Sequence, residues 1–214
     1  MDSIAHAVNG DERNEPANRR SRRQAEIRER LVRCALRLFA ERGFVATTVE
    51  DITNLADVGK GTFFNYFPSK EHIFAARAQG QAQKVERFVA QVGSSTEPMA
   101  DVFYRLAVSL SEGFEGSPAV FHAIMVAVCT NELVRDMLSG AMEQARKSLA
   151  ELMSLGQRRG EVRGDLVPIE LAMVFQRAFF GTMFLWSVTP SRPLTDCLKE
   201  TSNFVWSAIR KGPA

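Results

Sequence analysis

Three cysteines, Cys34, Cys129 and Cys197, are spread over 214 residues. They are too few and too far apart for a disulfide framework, and read as small core or interface residues rather than as redox or metal groups. Histidine is equally scarce, and His6, His72 and His122 show no metal-ligand spacing and no cysteine beside them. Neither a G-x-S-x-G elbow nor a phosphate-binding P-loop appears. These absences argue against an enzyme, and no cofactor and no metal are expected. No stretch alternates apolar and polar residues over a strand length, and no repeat of roughly 20 to 50 residues is present. No secretory apolar region is visible behind Asp2, so a cytoplasmic location is expected. The single membrane candidate, Ile169 to Val188, carries Glu170, Gln176 and Arg177 and lies between Pro168 and Pro190. A buried or interfacial helix fits that segment better, and no membrane partner is expected.

What is present is ample for a folded protein. With 45% hydrophobic and 24% charged residues there is apolar surface for a core, which excludes disorder of the whole chain. The net charge of +2 hides an asymmetry: Arg19 to Arg37 holds eight arginines against two glutamates, a local excess of +6. Such a cluster favours a polyanionic partner. Residues 1 to about 18 have no hydrophobic period and read as a disordered arm running into this cluster, so that residues 1–22 form a basic arm.

Apolar residues at helical spacing then predict an all-α fold of about nine helices. The first runs from about Arg23 to Arg42 through Ile27, Leu31, Cys34, Ala35 and Leu38, with Gly43 as its stop. Thr47-Thr48-Val49-Glu50-Asp51 supplies a hydroxyl cap with an acid three residues on, opening a short helix through Ala56. Asp57 and Val58 make a tight turn, and Gly59-Lys60-Gly61-Thr62 leads into a third short helix ending before Pro68. Ser69 caps a fourth. Pro98, Pro118, Pro168 and Pro193 punctuate the rest, giving helices over 98–113, 118–128, 131–159, 168–188 and 193–211.

Three short helices with a tight turn between the second and third match a helix-turn-helix, with its motif over about 48–67. The third helix offers Lys60, Thr62, Asn65 and Tyr66 as hydrogen-bonding groups, and Gly59 and Gly61 allow close approach to a phosphate. A helix needed only for packing would not require so many donors.

From Cys34-Ala35-Leu36-Arg37-Leu38-Phe39-Ala40-Glu41-Arg42-Gly43-Phe44, through Thr47 to Ile52, to the run VGKGTFFNYFPSKE over 58–71, the chain resembles the TetR family of bacterial transcriptional regulators. The likeness covers about 50 residues. It implies that Thr48 and Lys70 hold DNA phosphates, and that Lys60, Thr62, Asn65 and Tyr66, with Gly61 among them, face the groove or its rim. Thr53, Asp57, Gly59 and Phe64 depart from the family pattern, and at 64 ring packing is expected in place of a phosphate contact. The resemblance also implies a domain division at about 23–85 for the helix-turn-helix domain and 86–214 for a larger ligand-binding and dimerisation domain.

Within that larger part, Ile169 to Val188 is apolar nearly all round and needs a partner beyond its own domain. A second copy of the chain is the economical one, with Phe179, Trp186 and Trp206 as interface residues. Phe103, Phe114, Phe121, Met125, Cys129, Met173, Phe180 and Phe184 are candidates to line a ligand cavity, with His122 and Arg177 as its polar contacts. The expected function is a ligand-responsive regulator of transcription, a repressor released from double-stranded operator DNA by a small apolar effector. A helical enzyme and a protein-binding adaptor are the competing classes; the adaptor leaves the donors from Lys60 to Lys70 and the arginine excess unexplained.

Overall fold

Nine helices, and no strand, occupy the described residues of the computed structural model, which are 15–93, 95–112 and 117–212. They are α1 (Glu15–Arg42), α2 (Val49–Leu55), α3 (Lys60–Phe64), α4 (Glu71–Val92), α5 (Met99–Ser111), α6 (Pro118–Thr130), α7 (Glu132–Arg158), α8 (Pro168–Val188) and α9 (Leu194–Ile209). The proline punctuation holds where the sequence places it: Pro118 and Pro168 sit in the first turns of α6 and α8, where a missing N–H costs nothing.

Two boundaries differ from expectation. The start of α1 lies at Glu15, so residues 15–22, expected in a disordered arm, are helical. Pro16 suits a first turn, the arginines that follow are good helix formers, and Arg22 Nε pairs with Glu26 at 3.1 Å across one turn. Residues 1–14 of that arm, and Phe114, lie outside the described residues. The second difference is at α4, where Lys70 rather than Ser69 occupies the capping position and no side chain caps the helix. Ser69 Oγ instead lies 3.0 Å from His72 Nδ1.

The N-terminal helices close over a small core. Leu31, Ala35, Leu38 and Phe39 of α1 meet Phe44, Ile52, Ala56, Phe63, Phe67, Ile73 and Phe74, all buried. Phe74 belongs to α4, which then leaves this module and packs lengthwise on α7, while α5 packs on α9 and α8 on both α7 and α9. The far end of α4 is held by Arg159, whose guanidinium donates to the carbonyls of Val92, Ser95 and Glu97. Beyond Arg159 the chain turns through Gly160 at φ +72° and crosses the end of α9 in a single antiparallel bridge, Val162 to Arg210.

On its buried face α8 carries Leu171, Ala172, Phe175, Gln176, Phe179, Met183 and Trp186. It is long and apolar enough to span a membrane by composition alone, but this face is the wall of a helical core. Its other face leaves Val174, Phe184, Leu185 and Val188 exposed, and Phe204 of α9 is exposed as well.

Two glycines of α7 separate the packing effect from the helical one. A Cβ on Gly156 would lie 2.4 Å from Val162 Cγ2, whereas one on Gly140 meets nothing within 4 Å. Gly156→Ala should therefore lose roughly 1–3 kcal/mol through overpacking, and Gly140→Ala should gain about 0.5–1 kcal/mol through helix propensity. Chemical denaturation of the two variants checks the opposite signs.

Candidate nucleic-acid interface and the cavity behind it

The α2–α3 unit is built by local chemistry. Thr48 caps α2 in a reciprocal box: its Oγ1 accepts from the Asp51 N–H at 3.1 Å, and Asp51 Oδ2 accepts from the Thr48 N–H at 2.9 Å. The Thr48 hydroxyl also donates to Asp51 Oδ2 at 2.6 Å. These hydrogen bonds, the hydroxyl's first and the backbone's second, hold the Asp51 carboxyl below the usual carboxylate range, helped by Arg42. Asp57 takes φ +49° in the turn between the helices, a left-handed conformation that aspartate tolerates better than most residues.

Short α3 turns Phe63 inward and its other side outward. Lys60, Gly61 and Asn65 are exposed and Thr62 and Tyr66 half-buried, so all five positions expected at the groove are accessible to solvent to some extent. Lys60 Nζ lies 3.9 Å from Glu50 of α2, with both side chains well exposed. The helix ends at Phe64, so Asn65 is its cap and Tyr66 follows in a turn whose N–H bonds back to the Phe63 carbonyl at 2.9 Å. Phe63 and Phe67 are core residues as expected, and Phe64 stacks edge-on against Phe63 at 5.5 Å while staying 51% exposed. From α1, Arg28 lies over the Phe67 ring at 5.4 Å, tying the arginine-rich helix to the same module.

Lys70 does something the sequence does not announce. Its ammonium donates to the carbonyls of Phe44 at 2.7 Å, Thr47 at 2.8 Å and Val45 at 3.3 Å, and sits 4.5 Å from the Phe44 ring centroid. An ammonium has three donors, and here three backbone acceptors in the loop after α1 take them. Lys70 thereby clasps α4 to the α1–α2 loop, a role beyond the phosphate contact expected of it. Proximity across 23 to 26 residues of sequence is a tertiary fact, which no local spacing signals.

Behind this module lies a partly open cavity of about 100 Å³ between α4, α5, α6, α7 and α8. Phe121, Met125 and Phe180 line it as expected, and so do Phe179, expected at a subunit interface, and Phe175. Other candidates are elsewhere. Phe103 is buried between α5 and α9 against Phe175 and Trp206, at 5.5 and 6.0 Å. His122, Arg177, Phe184 and Cys129 are exposed and Met173 is half-buried outside the lining. Arg77, Gln81 and Gln176 supply the polar part of the wall instead; a lone arginine in an otherwise ordinary helix gave no signal in the sequence.

Two of the residues expected at a subunit interface make contacts within the chain itself. Trp186 is 7% exposed and its Nε1 donates to the Arg192 carbonyl at 3.1 Å, so it serves its own subunit. Trp206 packs on Phe103 and is half-buried. The apolar surface left open on these two helices is Leu185, 68% exposed, and Phe204, 78% exposed, with Phe184 and Val188. A helix of period 3.6 that is apolar all round does not reveal which face its own domain takes.

Comparison with known proteins agrees with this geometry. The family described as bacterial regulatory proteins, tetR family, matches residues 31–76, which span the later part of α1 through the start of α4. The HTH-type transcriptional repressor DhaR of Mycobacterium sp. (strain GP1) is 26% identical over 172 residues, covering 79% of this chain and 87% of that protein. Among solved structures, the fatty acid degradation regulator FadR from Bacillus halodurans has TM-score 0.72 at 16% identity, over 84% of this chain and 94% of that one. Thermus thermophilus FadR, a TetR-family transcriptional repressor solved with lauroyl-CoA, has TM-score 0.62 at 25% identity, over 87% of this chain and 98% of that one.

Two outcomes are expected of the module itself. Lys70→Met should cost roughly 1.5–3 kcal/mol of stability, against less than about 0.5 for Lys60→Met on the open surface, as read by denaturant titration. A carboxyl whose pKa is depressed by folding contributes stability above its unfolded pKa and loses it as pH falls through the folded one. The stability gap between the native chain and Asp51→Asn should accordingly be present at neutral pH and close as the solution is acidified below the usual carboxylate range.

Proposed function

We propose that this chain, whose residues 31–76 match the tetR family of bacterial regulatory proteins, is a sequence-specific DNA-binding regulator of transcription. It acts as a repressor, released from its operator when a small, largely apolar effector enters the cavity behind α4. The observation that carries this reading is Phe74. One ring packs at 5.0 Å on Phe39 and at 5.2 Å on Phe44 in the DNA-binding core, and also forms part of the cavity wall. A ligand in the cavity thus touches a residue that helps set the position of the helix-turn-helix. The Thermus thermophilus repressor, solved with lauroyl-CoA, supports an effector with a substantial apolar body.

On DNA, Lys60, Thr62, Asn65 and Tyr66 read the groove or its rim, with Gly61 permitting close approach and Thr48 near the backbone. The exposed arginines of α1 add a non-specific electrostatic contribution. The regulator works as a homodimer in the cytoplasm, with the open apolar residues of α8 and α9 facing their symmetry copies, because an exposed stripe of this kind is stable in water only when covered. Two half-sites then lie about one helical turn or a multiple apart, ~34 Å.

Selection of bound duplexes from a random pool tests the reading. Lys60→Ala is expected to lower the slope of log affinity against log salt by about 0.9 if the side chain neutralises one phosphate, and Asn65→Ala to change the recovered sequence. The folded fraction of Lys70→Met should keep its salt slope. Recovery of no duplex would overturn the proposal. Leu185→Asp combined with Phe204→Asp should turn a dimer into a soluble monomer by light scattering, and a wild-type monomer at micromolar concentration would overturn the dimer.

A further inference from the structure

Of the phenylalanine, tyrosine and tryptophan rings in the described residues, only Phe64, Phe184 and Phe204 are exposed. The last two belong to the open apolar surface of α8 and α9, whereas Phe64 stands apart on α3 at 51% exposure. Its ring is braced on the core of the module. It meets Phe63 edge-on at 5.5 Å, and Phe63 is fully buried and packs on Phe67 at 5.6 Å. A ring supported in this way has little rotamer freedom left to lose when its open side is covered.

The surface beside the ring is polar and has a gap in it. Lys60 and Gly61 lie four and three residues before Phe64 on α3, so they neighbour it on the same side of the helix. Both are exposed, and a Cβ on Gly61 would meet nothing within 4 Å. Asn65, the next residue, is exposed as well. The ring is therefore continuous with the groups placed to meet a groove, yet it can neither bond a phosphate nor pair with a donor or acceptor on a base edge. In the major groove the apolar group on a base edge is the C5-methyl of thymine.

We propose that Phe64 reads a thymine methyl in each operator half-site, which makes it a specificity-determining residue of the recognition helix. This rests on the reading of the chain as a sequence-specific DNA-binding regulator, and names one base that it selects. The open space at Gly61 lets a base edge come up to the ring, while Lys60 and Asn65 meet polar groups on either side. Thymine buries its methyl there. Cytosine has no methyl and brings an amino donor to a ring that offers it no good acceptor. Packing of the ring on a deoxyribose, or its insertion between base steps, would not depend on that methyl.

The test uses the duplex recovered from a random pool, with each thymine replaced in turn by deoxyuridine, which removes the methyl and keeps the base pair. Fluorescence anisotropy with the full chain should find one position in each half-site where the exchange weakens binding about fourfold, the loss expected of one buried carbon. Phe64→Ala should bind the thymine and uracil duplexes alike, and its binding of the uracil duplex shows that the variant is folded. Phe64→Tyr keeps the ring and should keep the difference; Phe64→Leu should shrink it, and decides the matter should the alanine variant not fold. A recovered duplex with no methyl-sensitive position overturns the role of Phe64. So does a sensitivity that survives in Phe64→Ala or stays at full size in Phe64→Leu, the result expected of a ring that packs on sugar or between base steps. These outcomes leave the regulator standing, whereas failure to recover any duplex refutes the regulator and the role of Phe64 with it.

Discussion

The junction at the start of α4 is the constraint on which the rest of the molecule depends. Phe39, Phe44 and Phe74 pack their rings within about 5 Å of one another, and the Lys70 ammonium closes the cluster by taking three carbonyls of the α1–α2 loop. Burial of three phenylalanines fixes the distance between α1 and α4, and the clasp fixes their rotation. Because Arg159 holds the other end of α4 to the loop that follows it, this helix is a strut pinned at both ends. A change of tilt in the strut has to appear at the helix-turn-helix.

The cavity belongs to the same logic. A partly open, mostly apolar pocket of about 100 Å³ forgoes the packing contacts that a filled core would make. A chain built only for rigidity would fill it. Its position beside Phe74 places an unfilled space against the strut, with Arg77 and Gln81 about one and two turns further along the same helix. On the proposed function, contact with a ligand and its effect on the helix-turn-helix would both run through this one element.

Much of this was legible in the sequence, for physical reasons that name particular residues. Gly43, the Thr48–Asp51 box, Asp57 and the prolines at 118 and 168 act through local backbone conformation, so helix number and order followed from spacing alone. The exposure of Lys60, Gly61 and Asn65 was equally readable, since a core helix has no use for those groups. What failed to show was long-range. Lys70 meets its acceptors 23 to 26 residues away, whereas its position in the resembled family pattern pointed only to a phosphate. Phe179 and Trp186 were expected outside because α8 is apolar on every side, which hides its inner face. The length of α1 was underestimated because charged arginines carry no hydrophobic period, although they favour a helix. Arg77 stood in sequence as one more surface arginine until α6, α7 and α8 were folded around it.

On the proposed function, coupling between cavity and DNA would be reciprocal: a ligand that weakens operator binding must itself bind more weakly to the DNA-bound protein by the same factor. The most direct test of the strut is that factor, measured as ligand affinity with and without operator duplex, in the native chain and in Phe74→Leu, which keeps an apolar residue in the core but removes the shared ring. The account predicts a clear difference between free and DNA-bound protein in the native chain, and a factor that falls toward one in a folded Phe74→Leu. An unchanged factor in that variant would contradict it.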